Sequence, residues 1–509
     1  MSQAEYLITL DVGTTAVKAA LFERGLNRAA FSSEEYQLLT PRKDIVELDP
    51  RRYRDACCRG IRALLNSSGV SSERVKALIL TTQGETLIPV DQAGNPLSNA
   101  MVWLDSRAGG EAEWLSKVLP AQEYYSHTGL PETGPANPLC KVLWLKNQEP
   151  EIFRATNMFL LLEDYLLFQL TGRFASEQSL LSSAGYFDIN EGCYWQKALD
   201  LIGVPVERFP DIHPCGSDLG PLNIEVAREL GLLPSTRVLT GAMDQISSAL
   251  AAGNFQPGIV SETTGAALII AASTEHPDYT SPRKVSIYRH YRPGLFLIIP
   301  YCPTAGIILK WFKDEFCPLE SQESSRLGRE VYSLLDRMAD EVAVGAEGLI
   351  LLPHFSGTLN PDLNLSAKGV FYGIGLQTRK AHFLRAILES VGYMLRENIE
   401  LLESMGISIH QIRSQGGGAR STLWNSIKAD INNKPIVVGA QEESASLGAA
   451  MLGALALGWY KNPAEAHAQI SREERVFAPD PARVGLYEKP YQTYKKLYAA
   501  LQPVFGEPH

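Results

Sequence analysis

Asp11-Val12-Gly13-Thr14-Thr15 puts a carboxylate at the end of a short apolar run, followed by a glycine and two hydroxyls. A turn of this kind exposes backbone N–H groups as a nest for phosphate oxygens, and glycine lets a phosphate approach closely. Asp11 is a candidate ligand for Mg²⁺, directly or through water. Read alone, the motif also fits an ordinary hairpin turn. A second copy, Thr263-Thr264-Gly265, strengthens the phosphate reading. Two such turns, one in each half of the chain, suit a triphosphate clamped between two lobes.

Asp244, in Thr240-Gly241-Ala242-Met243-Asp244-Gln245, stands where an apolar run gives way to a helical pattern. An aspartate there can cap the helix by accepting from free N–H groups. It can equally act as a general base, taking the proton of a sugar hydroxyl as a phosphoryl group is transferred. Gln83-Gly84-Glu85-Thr86 and Trp103-Leu104-Asp105-Ser106-Arg107 each follow a strand-like run. Gln83, Glu85 and Asp105 offer hydrogen-bonding groups and Trp103 a stacking face, which a polyhydroxylated substrate needs. The alternative is polar loop residues with an Asp105–Arg107 surface pair. Ser414-Gln415-Gly416-Gly417-Gly418-Ala419-Arg420-Ser421 precedes a helical stretch, and its glycines admit a base or phosphate against the backbone. The alternative there is a plain glycine-rich loop.

Other chemistries find no support. There is no GxGxxG fingerprint with a following acid, which disfavours a nicotinamide-dependent dehydrogenase. There is no GxxxxGK[ST] loop and no GxSxG elbow. His354, His382 and His410 lack metal-ligand spacing, and the seven cysteines form no CxxC or Cys/His cluster.

The elements that must position these residues alternate between strand and helix. Tyr6–Asp11 and Val17–Phe22 read as a hairpin around the first turn. Asp49–Leu65 reads as a helix with Asp49 as its cap. Val75–Thr81 and Leu87–Val90 read as strands, and residues 91–95 as a turn. Arg237–Thr240 is a strand, Gln245–Ala252 a helix, and residues 253–258 break it. Ile259–Glu262 and Ala266–Ala271 then repeat the opening design around Thr263-Thr264-Gly265, a weak internal repeat of two supersecondary units. A helix follows the glycine-rich loop at about Thr422–Ile431, and the tail holds another at Tyr491–Leu501. The lobe boundary is placed near the break, giving residues 1–250 and 251–509 as the two lobes.

Length and composition agree. A chain of 509 residues that is 45% hydrophobic and 20% charged can bury more than one core. With 47 Lys and Arg against 57 Asp and Glu, a net charge of −10, neither nucleic acid nor an anionic membrane is an expected main partner. The start carries no charged segment followed by an apolar stretch, no run of about 18 apolar residues offers a span, and a reduced, cytoplasmic setting is expected.

Together these segments resemble the FGGY family of carbohydrate kinases. Gly369-Val370-Phe371-Tyr372-Gly373-Ile374, followed after seven residues by His382-Phe383-Leu384-Arg385-Ala386-Ile387-Leu388-Glu389, fits the family's second signature. The first is nearly intact in Pro138, Lys141, Trp144, Asn147 and Gln148, and departs at Ala136. The resemblance implies an α/β chain with the two-lobed actin-like, or ribonuclease H-like, ATPase fold and a cleft between the lobes, residues 1–250 binding the sugar and 251–509 the nucleotide. It implies ATP and Mg²⁺, with Asp11 near the metal, and Gly13, Thr14, Thr15, Thr263, Thr264 and Gly265 around the phosphates. Lys18, Gly306, Lys310, Gly417, Gly418 and Thr422 join the nucleotide site. Asp244 is implied as catalytic base, and Gln245 joins Glu85 and Trp103 as a substrate ligand.

The departures concern the acceptor. Glycerol kinases have an Arg where this chain has Gly84, and a Tyr in the segment now occupied by about Pro135–Asn137. Xylulose kinases carry Met-His in the Gly84-Glu85 loop, yet Leu351–Phe371 and Gly416–Ser421 look more like them. Ala266 stands where glycerol kinases have Thr, one phosphate contact fewer. The implied acceptor is a ketopentose such as xylulose, or a related sugar or polyol, with the volume freed beside Gly84 admitting a chain longer than glycerol. A homodimer is the assembly left open. The rival reading is an actin-like ATP-binding regulatory protein without sugar turnover.

Overall fold

The computed structural model describes residues 4–256, 258–328, 330–439, 443–470 and 474–506. Strands β1 (Tyr6–Val12), β2 (Ala16–Glu23), β3 (Arg28–Glu35), β4 (Val75–Thr82), β5 (Asp218–Pro221) and β6 (Arg237–Met243) form one sheet in the order β5-β6-β4-β1-β2-β3. Central β1 and β4 run parallel and are buried almost throughout, which is why they read as continuous apolar runs. Edge strand β3 alternates between exposed and half-buried residues. Helix α1 (Pro50–Ser68), capped by Asp49 as expected, covers one face: its Tyr53, Ala56 and Ile61 pack with Ile8 and Leu10.

A second sheet repeats the plan. Its strands are β7 (Gly258–Thr264), β8 (Leu268–Thr274), β9 (Ser286–Arg289), β10 (Phe296–Ile299), β11 (Ile409–Gln415), β12 (Ile436–Val438) and β13 (Arg475–Phe477), in the order β9-β10-β8-β7-β11-β12-β13. The antiparallel hairpin β1–β2 with β4 parallel to β1 has its counterpart in the hairpin β7–β8 with β11 parallel to β7. The two-lobed α/β architecture and the internal repeat are therefore present. Pro257, in the expected break, lies outside the described residues.

Helices place the rest. α2 (Pro138–Gln148) supports a small sheet that carries Leu87–Val90 and Ala100–Met101. α3 (Asp244–Ala251) follows β6 directly. α4 (Gly306–Phe316), α5 (Lys380–Ser404) and α6 (Thr422–Asn432) belong to the second lobe, and the tail helix α8 (Glu488–Phe505) packs Tyr491 and Tyr494 into its core. α7 (Ser444–Ala456) does something the sequence order does not suggest. It crosses back against α3 and lies on the inner face of the first sheet, where Met451 and Leu452 join Leu7, Ile79 and Leu239 in one cluster. A Cβ on Gly448 would fall 1.7 Å from the Ser247 carbonyl oxygen, so α3 and α7 cross in backbone contact.

Candidate active site

Each hairpin turn is closed by its glycine N–H. Gly13 N–H donates to the Ala16 carbonyl at 3.0 Å, and Gly265 N–H donates to the Ala267 carbonyl at 3.0 Å. Thr14 is half-buried and Thr15 exposed, so both hydroxyls can still donate to a ligand. Tyr36 donates its hydroxyl to the Gly13 carbonyl and pins the first turn from below. Gly306, at the start of α4, donates its N–H to the Gly265 carbonyl at 2.9 Å, and a Cβ there would lie 2.4 Å from that oxygen. A Cβ on Gly418 would lie 2.7 Å from the Thr264 side chain. These two glycines are required by close approach, and they bring the second turn, the start of α4 and the glycine-rich loop together.

Beneath the second turn lies an ion pair that the sequence did not signal. Lys428 of α6 donates to Glu262 at 2.7 Å and to the Thr264 hydroxyl at 2.9 Å. Thr264 donates to the other Glu262 oxygen at 2.7 Å, and Ser414 donates to Glu262 as well. Both charged side chains are fully buried. The network fixes Thr264 from within the core, leaving Gly265 at the surface with nothing within 4 Å of an added Cβ. Gly265→Val is therefore expected to leave the fold intact and crowd only what binds there. The expected result is a raised ATP KM with little change for the acceptor, read by steady-state kinetics. Unchanged ATP affinity would reject the paired-turn clamp.

A cavity of about 1100 Å³ opens between the lobes. Thr14, Gln83, Glu85, Trp103, Asp244 and Gln245 line it from the first lobe. Asp244 is the first residue of α3, where the cap residue Met243 makes no side-chain cap bond, and the Asp244 carboxyl takes hydrogen bonds from the Gln245 backbone N–H and side chain. A β-bulge between Leu239 and Ala242 turns the end of β6 toward the cavity, and Glu163 accepts the Gly241 N–H at 2.7 Å within it. Burial, then the negative charges of Asp11 and Glu85, push the Asp244 carboxyl up to about 7. Burial pushes Glu85 up to about 7 against the pull of Lys141, and Asp11 up to about 6 against the pull of Lys18. Three acids raised together, Glu85 and Asp244 in the cavity wall and Asp11 near enough for its charge to act on Asp244, mark a place where charge chemistry is set up. Glu85 also has φ +53, a left-handed backbone that costs a non-glycine residue energy and is held only where the surroundings enforce it. Trp103 ties the two halves of the site together: its indole N–H donates to the Thr14 hydroxyl at 2.9 Å.

The remaining expected residues divide. Gln83 sits in the cavity wall with its Oε1 buried and unpartnered. Lys18 pairs with Glu443 at 2.7 Å and Lys310 with Asp314 at 2.5 Å, so neither ammonium is aimed into the cavity. Gly417 lines a second cavity of about 500 Å³, and Thr422 is the exposed first residue of α6. Asp105 requires correction: it is buried, it accepts the Val46 N–H at 2.8 Å, and it holds Arg107 at 2.7 Å, so it does not line the cavity. Its pair with Arg107 is an internal brace. Gly84 also corrects an expectation. A Cβ there would lie 2.9 Å from the Ser183 hydroxyl and 3.3 Å from the Met243 sulfur, so those side chains fill the space that was expected to be open. Tyr288 of β9 was missed. It lines the cavity from the second lobe, where burial, then the charges of Glu85 and Asp244, raise its phenol. No local motif announces it, because only the closing of two lobes brings β9 to this place.

Among the described residues, no group of three or more His, Cys, Asp or Glu could cage a metal ion. Asp11 and Asp244, mutually repelling in a buried setting, nevertheless fit Mg²⁺, which takes one or two carboxylates and completes its shell with water and phosphate. Among the described residues no helix is long and apolar enough to cross a membrane.

The chain matches the model of the N-terminal domain of the FGGY family of carbohydrate kinases over residues 6–251, and that of the C-terminal domain over residues 260–457. It is 29% identical over 494 residues to xylulose kinase of Bacillus subtilis (strain 168), covering 97% of each chain. It is 28% identical over 459 residues to gluconokinase of the same organism, covering 89% of this chain and 88% of that one. The crystal structure of xylulose kinase from Rhodospirillum rubrum superposes with a TM-score of 0.90 at 28% identity, over 99% of this chain and 100% of that chain.

Proposed function

From the chain's membership of the FGGY family of carbohydrate kinases, which makes it a phosphotransferase acting on a sugar or polyol hydroxyl, we propose that its acceptor is a ketopentose such as xylulose. That membership sets aside the regulatory reading. The observation that carries the proposal is the convergence of Asp244, Glu85, Gln83 and Trp103 on one cavity, with Trp103 bonded to the first phosphate turn. Glu85 and Gln83 accept and donate hydrogen bonds to acceptor hydroxyls, and the indole of Trp103 lies against the carbon chain. Asp244 accepts the proton of the reacting hydroxyl, whose oxygen bonds to the γ-phosphorus of ATP as the bond to the β–γ bridging oxygen breaks and ADP leaves. The turns at Gly13-Thr14-Thr15 and at Gly265 approach phosphate oxygens from opposite lobes, the first with its two hydroxyls and the second with open space for a phosphate against its backbone. When bound, Mg²⁺ supplies charge neutralisation across the phosphates. Closure of the two lobes excludes water that would otherwise take the phosphoryl group.

The acceptor's length follows from where the cavity has room. Ser183 and Met243 occupy the space beside Gly84. A five-carbon chain extends instead toward Ser286 and Tyr288, which line the far wall. Glycerol would leave that wall unfilled and would meet neither the Arg nor the Tyr that glycerol kinases present. Two missing partners at about 1–3 kcal/mol each correspond to roughly 30- to 10⁴-fold in kcat/KM. An ADP-release assay over xylulose, ribulose, gluconate, glycerol and other polyols checks this. A ketopentose is expected to rank first and glycerol far below it. Glycerol at the head of the panel would overturn the reading of the pocket and leave the kinase assignment in place.

A further inference from the structure

Lys141 on α2 is fully buried, yet its ammonium is bound by main-chain oxygens: the carbonyls of Glu85 at 2.8 Å, Val102 at 2.9 Å and Met101 at 3.2 Å. An ammonium has three protons, and here three carbonyls receive them. The carbonyls come from two segments. One carries Glu85. The other, Met101-Val102, ends at Trp103. Leu87 and Met101 pair across neighbouring strands, so a single cation clasps the two places where chain leaves this small sheet for the cavity.

From this arrangement we propose that Lys141 is a positioning residue for the acceptor site: it holds Glu85 in its left-handed backbone and sets Trp103 at the distance that reaches Thr14. Burying a lysine costs free energy, and an apolar side chain of similar length would pack there at lower cost if only packing mattered. The left-handed φ of +53 at Glu85 needs an enforcing contact, and the Lys141 bond to the Glu85 carbonyl is one. Asp105 and Arg107 brace the same segment just beyond Trp103, and burial pulls Lys141 down to about 7 against the charges of Asp105 and Glu85, which favour its ammonium. Helix α2 presents Lys141 from its buried side, where Pro138 starts the helix and Leu139 N–H donates to the Ala184 carbonyl. The inference rests on the proposed role of Glu85 and Trp103 in holding the acceptor.

The test is Lys141→Met in the full-length enzyme, with the best substrate of the panel. The expected result is a sugar KM raised about 10- to 100-fold, the size of one or two lost hydrogen bonds to buried groups, with the ATP KM unchanged. A role in stability alone would lower the melting temperature and the fraction of active enzyme while leaving the sugar KM untouched, and that outcome overturns the inference. If Lys141→Met does not fold, Lys141→Gln, which keeps part of the donor set, is read by the same criterion. Glu85→Gln and Trp103→Phe separate the two levels. If neither moves the sugar KM, the acceptor-site reading fails. If both do and Lys141 does not, only the positioning role fails.

Discussion

Asp244→Asn is expected to lower turnover by about 10²–10⁴ while ATP and the acceptor still bind, because general-base assistance is typically of that size. The carboxyl stands at the head of α3 in a cavity lined by both lobes. Replacing it removes one of three mutually repelling acids, so the folded state has no reason to suffer. The pH profile gives a second readout. A base must be unprotonated to accept, and burial with neighbouring charge holds this acid up to about 7. Activity of the native enzyme is therefore expected to fall as pH drops below about 7 and to level off above it. Because Asp11 titrates in contact with the same charges, the apparent value belongs to the pair. The residual activity of the Asn variant should lose that acid limb. A purified, folded Asn variant with near-normal turnover would sink the assignment.

Lys428→Met is expected to cost about 3–5 kcal/mol of stability, the usual effect of leaving one partner of a buried ion pair alone. The Glu262 carboxylate would keep the Thr264 and Ser414 hydroxyls but lose its counter-charge in a site closed to water. Denaturant unfolding followed by fluorescence measures the loss. The double variant Lys428→Met, Glu262→Gln should recover much of it, since no unpaired charge then remains. Because Thr264 adjoins Gly265, the single variant should also weaken ATP binding more than acceptor binding. A single variant as stable as the native enzyme would show that the pair does not support the turn.

The features legible in the sequence are those whose chemistry is local. A glycine and two hydroxyls after an apolar run announce a phosphate turn whatever surrounds it, and both turns lie where their residues say. Asp244 was legible because strand, acid and helix follow one another in the chain. Asp105 was misread for the complementary reason. A loop carboxylate looks available until Val46 is brought to it by a strand from elsewhere; the pair with Arg107, two residues on, was the local alternative and is present, buried rather than at the surface. Lys428 meets Glu262 across 166 residues and Lys141 meets Glu85 across 56, so neither pairing leaves a mark in the local pattern. Tyr288 reaches the cavity from the other half of the molecule. Gly84 looked like vacated space because a deleted side chain is visible in a sequence, whereas the Ser183 and Met243 that fill its place are not.

The return of α7 to the first lobe has a consequence for how the protein comes into being. A ribosome releases residues 1–250 long before residues 444–456 leave its exit tunnel. Until they do, the inner face of the first sheet lacks the side chains of Met451 and Leu452 that cover Leu7, Ile79 and Leu239. The nascent amino-terminal half thus carries an uncovered apolar face through much of its synthesis, the condition under which growing chains aggregate or engage chaperones. A gene fragment cut at the lobe boundary would make that condition permanent. Splitting the enzyme into separately expressed halves is then a poor route to soluble protein, unless the α7 segment is grafted onto the amino-terminal piece.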